Sequence, residues 1–210
     1  TFNGLVTNTF AGDPTLTINN SGLTSFGSIN LSNSATSRTL TLAGTGNTTI
    51  NGVIANGSTS TAGAVVNSNS GTLTLSGANS YSGDTTLNAG TLRYGANNAI
   101  AAGNVIVNDG ATYDLNGFSD TIGALTVNSG ATGGSVSTGA GTLTLGGNIS
   151  STGGASNASI AGNLNLGSAG RTITTTNAAD GLTISAIIAG AQALTKAGAG
   201  TLTLSGANSY

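Results

Sequence analysis

The residues best equipped for chemistry in this sequence are its aspartates, six in all, because Glu, His and Cys are absent. Three of them, Asp109, Asp114 and Asp120, fall within NDGATYDLNGFSD. Two carboxyl groups held roughly 5–10 Å apart would serve glycoside hydrolysis. Asp114-x-Asn116-Gly117 has the oxygen-rich start of a calcium loop, but the rest of that ligand spacing is missing. The GGxGxDxUx repeat of calcium-binding β-rolls does not occur either. Asp and Asn beside Gly are turn formers whose side chains bond the local backbone. The cluster is therefore expected to build turns, and Asp84 in YSGDTT to cap or end one. Without His there is no Ser-His-Asp arrangement, and without Cys no thiolate nucleophile. The glycine strings Gly130–Gly134 and Thr138–Gly141 invite a phosphate-loop reading, yet both lack the following Lys-Ser/Thr and a helix. No catalytic, cofactor-binding or metal site is expected.

Tyr81, Tyr94, Tyr113 and Tyr210, with Phe2, Phe10, Phe26 and Phe118, are expected to close corners or pack on a core, since buried aromatics carry large apolar area. The alternative is an exposed strip that binds sugar or a partner. The four cations, Arg38, Arg93, Arg171 and Lys196, are too few to neutralise a phosphate backbone, so no nucleic acid is expected. There is no basic amphipathic patch for a membrane surface and no apolar run long enough for a spanning helix. Absence of Cys rules out a disulfide scaffold and a thiolate metal site.

The elements that must carry these residues are read from composition and repetition. Gly (35), Thr (35), Ser (25) and Asn (25) make up more than half of the 210 residues, charged residues only 5%, and the net charge is −2. Helix-favouring Glu, Lys, Gln and Met are nearly missing, while Thr, Val and Ile suit a pleated surface. Hydrophobic residues at 37% with aromatics at 4% allow a core, but a narrow one. GTLTLSGANSY occurs at Gly71–Tyr81 and again at Gly200–Tyr210, with shorter echoes at Gly141–Gly147 and Pro14–Ile18. A second element recurs at Thr1–Asn8, Thr49–Asn56 and Thr183–Gly190. Each unit alternates with period two, so Leu73, Leu75, Val105, Val107, Leu115, Leu125, Val127, Leu143, Leu145, Leu164, Leu166, Leu202 and Leu204 should face inward, Thr and Asn outward.

Tandem similarity means that each piece packs on its own kind, and stacked coils reward rows of Thr, Ser and Asn. These features favour a solenoid over a sandwich of short strands. The expectation is an all-β, right-handed, single-stranded parallel β-helix of about 8–10 coils, each of roughly 20–25 residues, in a rod about 40–50 Å long. It should form one continuous segment over 1–210, with repeat elements at 1–18, 49–92, 141–149 and 183–210. The array is expected to continue beyond both ends.

The stretch Gly71–Ile100, GTLTLSGANSYSGDTTLNAGTLRYGANNAI, resembles the autotransporter-associated β-strand repeat, the passenger-associated repeat of Gram-negative surface proteins. Tyr81, Gly83, Thr85, Thr86, Asn88, Ala89, Gly90, Thr91 and Leu92 carry the likeness. Ala191–Tyr210 is similar to the start of a further repeat. The resemblance implies a parallel β-helix passenger exported through an outer-membrane β-barrel translocator, which would lie outside this chain because membrane strands with aromatic girdles are not visible.

The functional expectation is a non-enzymatic structural or adhesive rod, extracellular, on the bacterial cell surface. Its expected partners are the translocator, other copies through end-to-end or lateral assembly, and a surface glycan or protein receptor. One alternative is a self-assembling subunit of an extracellular filament. Another is a β-helical enzyme acting on polysaccharide, which requires carboxylates grouped with basic residues on one face.

Overall fold

The computed structural model describes residues 1–9, 11–57, 62–154 and 157–210, so Phe10 lies outside the described residues. Strand and turn account for the ordered elements, with no helix among the described residues. Period-two alternation does what the sequence asks of it. In Thr72–Leu75 and Val105–Val107 the apolar positions are buried and their neighbours half-buried, because successive side chains leave opposite faces of a strand.

Strand pairing is parallel throughout the described residues. A parallel neighbour cannot be reached by a hairpin, so the chain must travel a full circuit before it pairs again. Register partners on successive coils accordingly lie 19 to 26 residues apart, and the result is a β-solenoid of about eight turns.

Each circuit visits three walls. The first is a nine-stranded sheet running from Thr15–Ile18 to Leu194–Ala197. The second is built on the path from Thr24–Phe26 to Thr201–Leu204. The third begins with Val6–Thr7, Ile29–Asn30 and Ile54–Ala55. It resumes with Asp120–Ile122, the ends of the long strands Ser135–Leu145 and Asn157–Asn165, and Ile187–Ala189. The two long strands turn a corner with a register shift between Ser137 and Thr142, as a bulge permits.

The core is the column between the walls. Leu73, Leu75, Val105, Val107, Leu115, Leu125, Val127, Leu143, Leu145, Leu164 and Leu166 are all buried, while Leu202 and Leu204 of the last coil are partly so. Each fully buried aliphatic side chain contributes about 1.5–3 kcal/mol of transfer free energy. Turns join the walls where the backbone takes positive φ. Gly90 is one, at φ 61°, where a Cβ would lie 2.3 Å from the Asn69 and Gly71 carbonyl oxygens. That contact is too close for any other residue, which explains the glycine of the NAGTL segment.

Candidate functional site

The aspartate cluster of the sequence is dispersed by strand parity. Asp120 points into the core and is 4% exposed. Asp114 follows the fully buried Tyr113 on the Thr112–Asp114 strand and therefore faces outward, its side chain 26% exposed. The two carboxyls sit on opposite sides of the shell and cannot share a substrate. Asp109 lies at an exposed corner.

Around Asp120 three tyrosines form a buried polar knot. The Tyr94 hydroxyl donates to Asp120 Oδ2 at 2.6 Å and meets the Tyr113 hydroxyl at 2.5 Å, the two rings edge to face with centroids 5.6 Å apart. The amides of Ile100 and Thr121 also donate to Asp120, at 3.2 and 2.7 Å. Tyr81 bonds Thr85 at 2.6 Å. Burial pushes the Asp120 carboxyl above its ordinary range, against the Tyr94 and amide hydrogen bonds that favour the charged form. Burial likewise raises all three phenols. The phenols and the Ile100 amide are buried and the Thr121 amide partly so, and the knot works as a packing device.

Asp109 has the opposite environment. Its carboxylate accepts the amides of Thr132 (2.8 Å), Gly133 (2.6 Å) and Ala131 (2.9 Å) from the next coil, and those bonds hold its pKa below the ordinary value. The glycine string Gly130–Gly134 is thus a backbone anion nest, filled by the protein's own carboxylate. Gly133 is required there: its φ is 81°, and a Cβ would approach the Asn157 carbonyl oxygen to 2.5 Å. Asp180, which nothing in the sequence singled out, repeats the device two corners on. Its Oδ2 accepts the Asn177 amide at 2.6 Å, and its Oδ1 accepts those of Gly153 and Gly154 at 2.9 and 3.1 Å. Its pKa is lowered chiefly by the Asn177 bond.

Local turn bonding, expected for all three clustered aspartates, is found at Asp114, which accepts the Asn116 amide at 2.8 Å. At Asp109 the partners lie 22 to 24 residues away, because the nearest corner in space belongs to the coil above. Asp84 does the same, accepting the Asn104 amide at 3.2 Å. The calcium-loop candidate is engaged otherwise. Arg93 Nε lies 3.5 Å from Asp114 Oδ2, and Arg93 donates to Asn116 Oδ1 at 2.5 Å. Asn116 takes φ 50° and Gly117 φ 86°. No group of three or more potential metal ligands occurs among the described residues. Thr138 of the second glycine string is buried and accepts the Asn163 amide at 2.7 Å.

Among the described aromatics, Tyr81, Tyr94, Tyr113 and Phe26 are buried and Phe118 is partly buried, whereas Phe2 (60% exposed) and Tyr210 (47%) are not. One role of the asparagines, a docking contact, escaped the sequence reading, whereas stacked Asn rows were expected. In both copies of GTLTLSGANSY the Asn docks on the third wall: Asn79 Oδ1 accepts the Ile54 amide at 2.6 Å, and Asn208 Oδ1 accepts that of Ile188 at 2.9 Å. Asn79 Nδ2 also donates to the Ala99 carbonyl of the next coil, so one side chain replaces a missing strand. On the first wall, Asn128 donates to Asn108 (2.8 Å), Asn108 to Asn88 (2.7 Å) and Asn88 to Ser68 (3.1 Å), each step 20 residues. The signal was present as Asn-x-Gly at 88, 108 and 128.

Fold and polar chemistry together define a parallel β-solenoid whose aspartates, asparagines and glycines are committed to fastening coil to coil. The family model for the passenger-associated-transport-repeat matches residues 65–93 and 194–210. Over 85 residues the chain is 41% identical to the protein named Adhesin BmaC autotransporter of Brucella suis biovar 1 (strain 1330). The aligned stretch is 40% of this chain and 2% of that protein, so the chain spans a small fraction of its relative's length. No solved structure matches the chain. The chain carries autotransporter passenger repeats, and its place is extracellular, at the bacterial cell surface. No helix among the described residues is long and apolar enough to cross a membrane.

Proposed function

We propose that this chain is a non-enzymatic structural and adhesive rod, one continuous β-helical segment of a longer surface passenger whose β-barrel translocator is encoded elsewhere in the protein. The observation that carries the reading is the fate of the carboxylates. Asp84, Asp109 and Asp180 bind main-chain amides of neighbouring coils, Asp114 pairs with Arg93, and Asp120 is enclosed with tyrosines. In none of these contacts is a carboxylate partnered by a second carboxyl group, the pair that polysaccharide hydrolysis would require. The adhesin name of the relative supports contact with a surface glycan or protein as the output of such a rod.

The purified chain, coupled to beads, is expected to bind cells or an array of glycans and matrix proteins saturably, and to release no reducing ends from polysaccharides. Turnover that disappears in Asp114→Asn or Asp120→Asn, with the fold intact, would overturn the proposal in favour of an enzyme.

A further inference from the structure

Extended two residues back, the register of the first wall lines up one corner position through successive coils. It is Arg38, then Gly63, Gly83, Gly103, Gly123 and Gly147, then Arg171. In the glycine coils a side chain would strike the coil below. A Cβ on Gly83 would lie 2.6 Å from the Gly63 carbonyl oxygen, and one on Gly147 would lie 2.7 Å from the Ala124 amide nitrogen. At Arg171 the corner admits a long cationic side chain. It leaves the same face of its strand as the buried Ile173 and is 8% exposed.

A guanidinium does not shed its charge, and a buried charge is costly unless it is paired. Among the described residues the one ion pair is Arg93–Asp114, so no carboxylate answers Arg171. One side of its fork is engaged: Nε donates to the Leu166 carbonyl at 2.7 Å, and Nη2 to the Leu145 carbonyl of the coil below at 2.6 Å. Arginine has further N–H donors beyond these two. The end of the fork, formed by Nη1 and the second hydrogen of Nη2, meets no protein acceptor among the described residues, and Nη1 is open to solvent. Beside it runs the exposed turn 168–170, whose amides are likewise without protein partners among the described residues. The two are close, since a Cβ on Gly167 would lie 3.1 Å from Arg171 Nη2. Gly167 takes φ 74°, the left-handed conformation that backbone anion nests use. Arg38 repeats the unanswered charge: two residues before the buried Leu40, its Nε is buried without a hydrogen-bond partner.

We propose that Arg171 and the turn 167–170 form a binding site for a single oxyanion of the sulfate or phosphate class. The end of the fork takes two oxygens through parallel N–H donors, as guanidinium does with such groups, and the amides of the turn serve a third. The bound ion supplies the counter-charge that the fold leaves out and ties the coil of Arg171 to that of Leu145. The site is independent of the adhesive reading. A free ion and the sulfate or phosphate ester of a glycan present the same oxygens to it.

The test titrates the purified chain with sodium sulfate in place of sodium chloride at constant ionic strength, following backbone amides by NMR. Saturable shifts are expected at 167–171, with a dissociation constant in the millimolar range, and none comparable around Arg93, whose charge is already paired. Arg171→Lys keeps the charge but loses the fork and should weaken binding by about tenfold or more. Arg93→Gln should leave it unchanged. Crystals of the native chain soaked in selenate give a reading that needs no variant: an anomalous peak is expected beside Arg171 Nη1. Methyl sulfate separates the sources, because retained affinity admits the ester of a glycan and lost affinity reserves the site for the free ion. Shifts that fail to saturate, shifts of equal size near Arg93, or an unchanged constant in Arg171→Lys would mean an adventitious ion only and overturn the proposal.

Discussion

Asp180 is 1% exposed yet remains a good carboxylate, because three backbone amides point at it. Replacing it by Asn puts an NH2 group against an amide that previously donated. Asp180→Asn should therefore lose about 1–3 kcal/mol of stability, read from the urea midpoint; an unchanged midpoint would show that the corner tolerates its loss. The aspartates also divide by sign in their response to pH. Asp109 and Asp180 have folded pKa values below the unfolded one of about 3.9, so the stability they add is present at neutral pH and lost as the pH falls through their folded values. Asp120 is raised, so its contribution is complete below the unfolded pKa and is lost as the pH climbs through the folded one. On acidification Asp120 thus opposes the loss from the other two. Asp120→Asn should make the fall in urea midpoint between pH 6 and pH 3 steeper than in the native chain; a shallower fall contradicts this assignment. At this scale the sequence was half legible. Asp beside Gly correctly marked corners, but the coil supplying each partner depends on circuits of unequal length, from 19 to 26 residues, which local spacing does not reveal.

The strands were the most legible elements, since alternation of Leu with Thr leaves only one face to bury. The break in the third wall was not, because it is made by a side chain. Between Ile54–Ala55 and Asp120–Ile122 that wall has no strand among the described residues, and Asn79 bridges the Ile54 amide and the Ala99 carbonyl. Asn79 is 8% exposed, so removing it leaves two main-chain groups buried without partners, each costing about 1–3 kcal/mol. Asn79→Ala should accordingly destabilise by about 2–4 kcal/mol. The matching Asn208 is less enclosed and makes its single main-chain bond to Ile188. Asn208→Ala should cost about 1 kcal/mol. Thermal denaturation of the two variants side by side checks the ranking, and equal losses would mean that the deeper burial and second bond of Asn79 add nothing. An identical 11-residue string thus has unequal value in its two settings, a difference that sequence identity hides and coil stacking explains.

At the scale of the whole molecule, each coil packs chiefly on the coils above and below, Ser129 reaching Asp180 two coils on at 3.4 Å, so stability is close to a sum of nearest-neighbour interfaces. Damage should then stay local. One enclosed interface surrounds Tyr113, fully buried, hydrogen-bonded to Tyr94 and stacked in register with Leu92 on one side and Val136 on the other. Tyr113→Ala removes a large buried ring, at a cost of about 3–5 kcal/mol, and leaves Tyr94 and Asp120 to share a cavity. In a globular domain with one cooperative core that loss would lower protection from hydrogen exchange everywhere. In this solenoid it should fall on the coils containing Thr91–Tyr94, Thr112–Asp114 and Asp120–Ile122. Amides of Thr39–Gly44 and Arg171–Thr175, several coils away on either side, should keep most of theirs. Exchange mass spectrometry on the native chain and the variant separates the two outcomes. A uniform loss along the rod would show that the coils unfold as one unit, and the nearest-neighbour description would then fail for this chain.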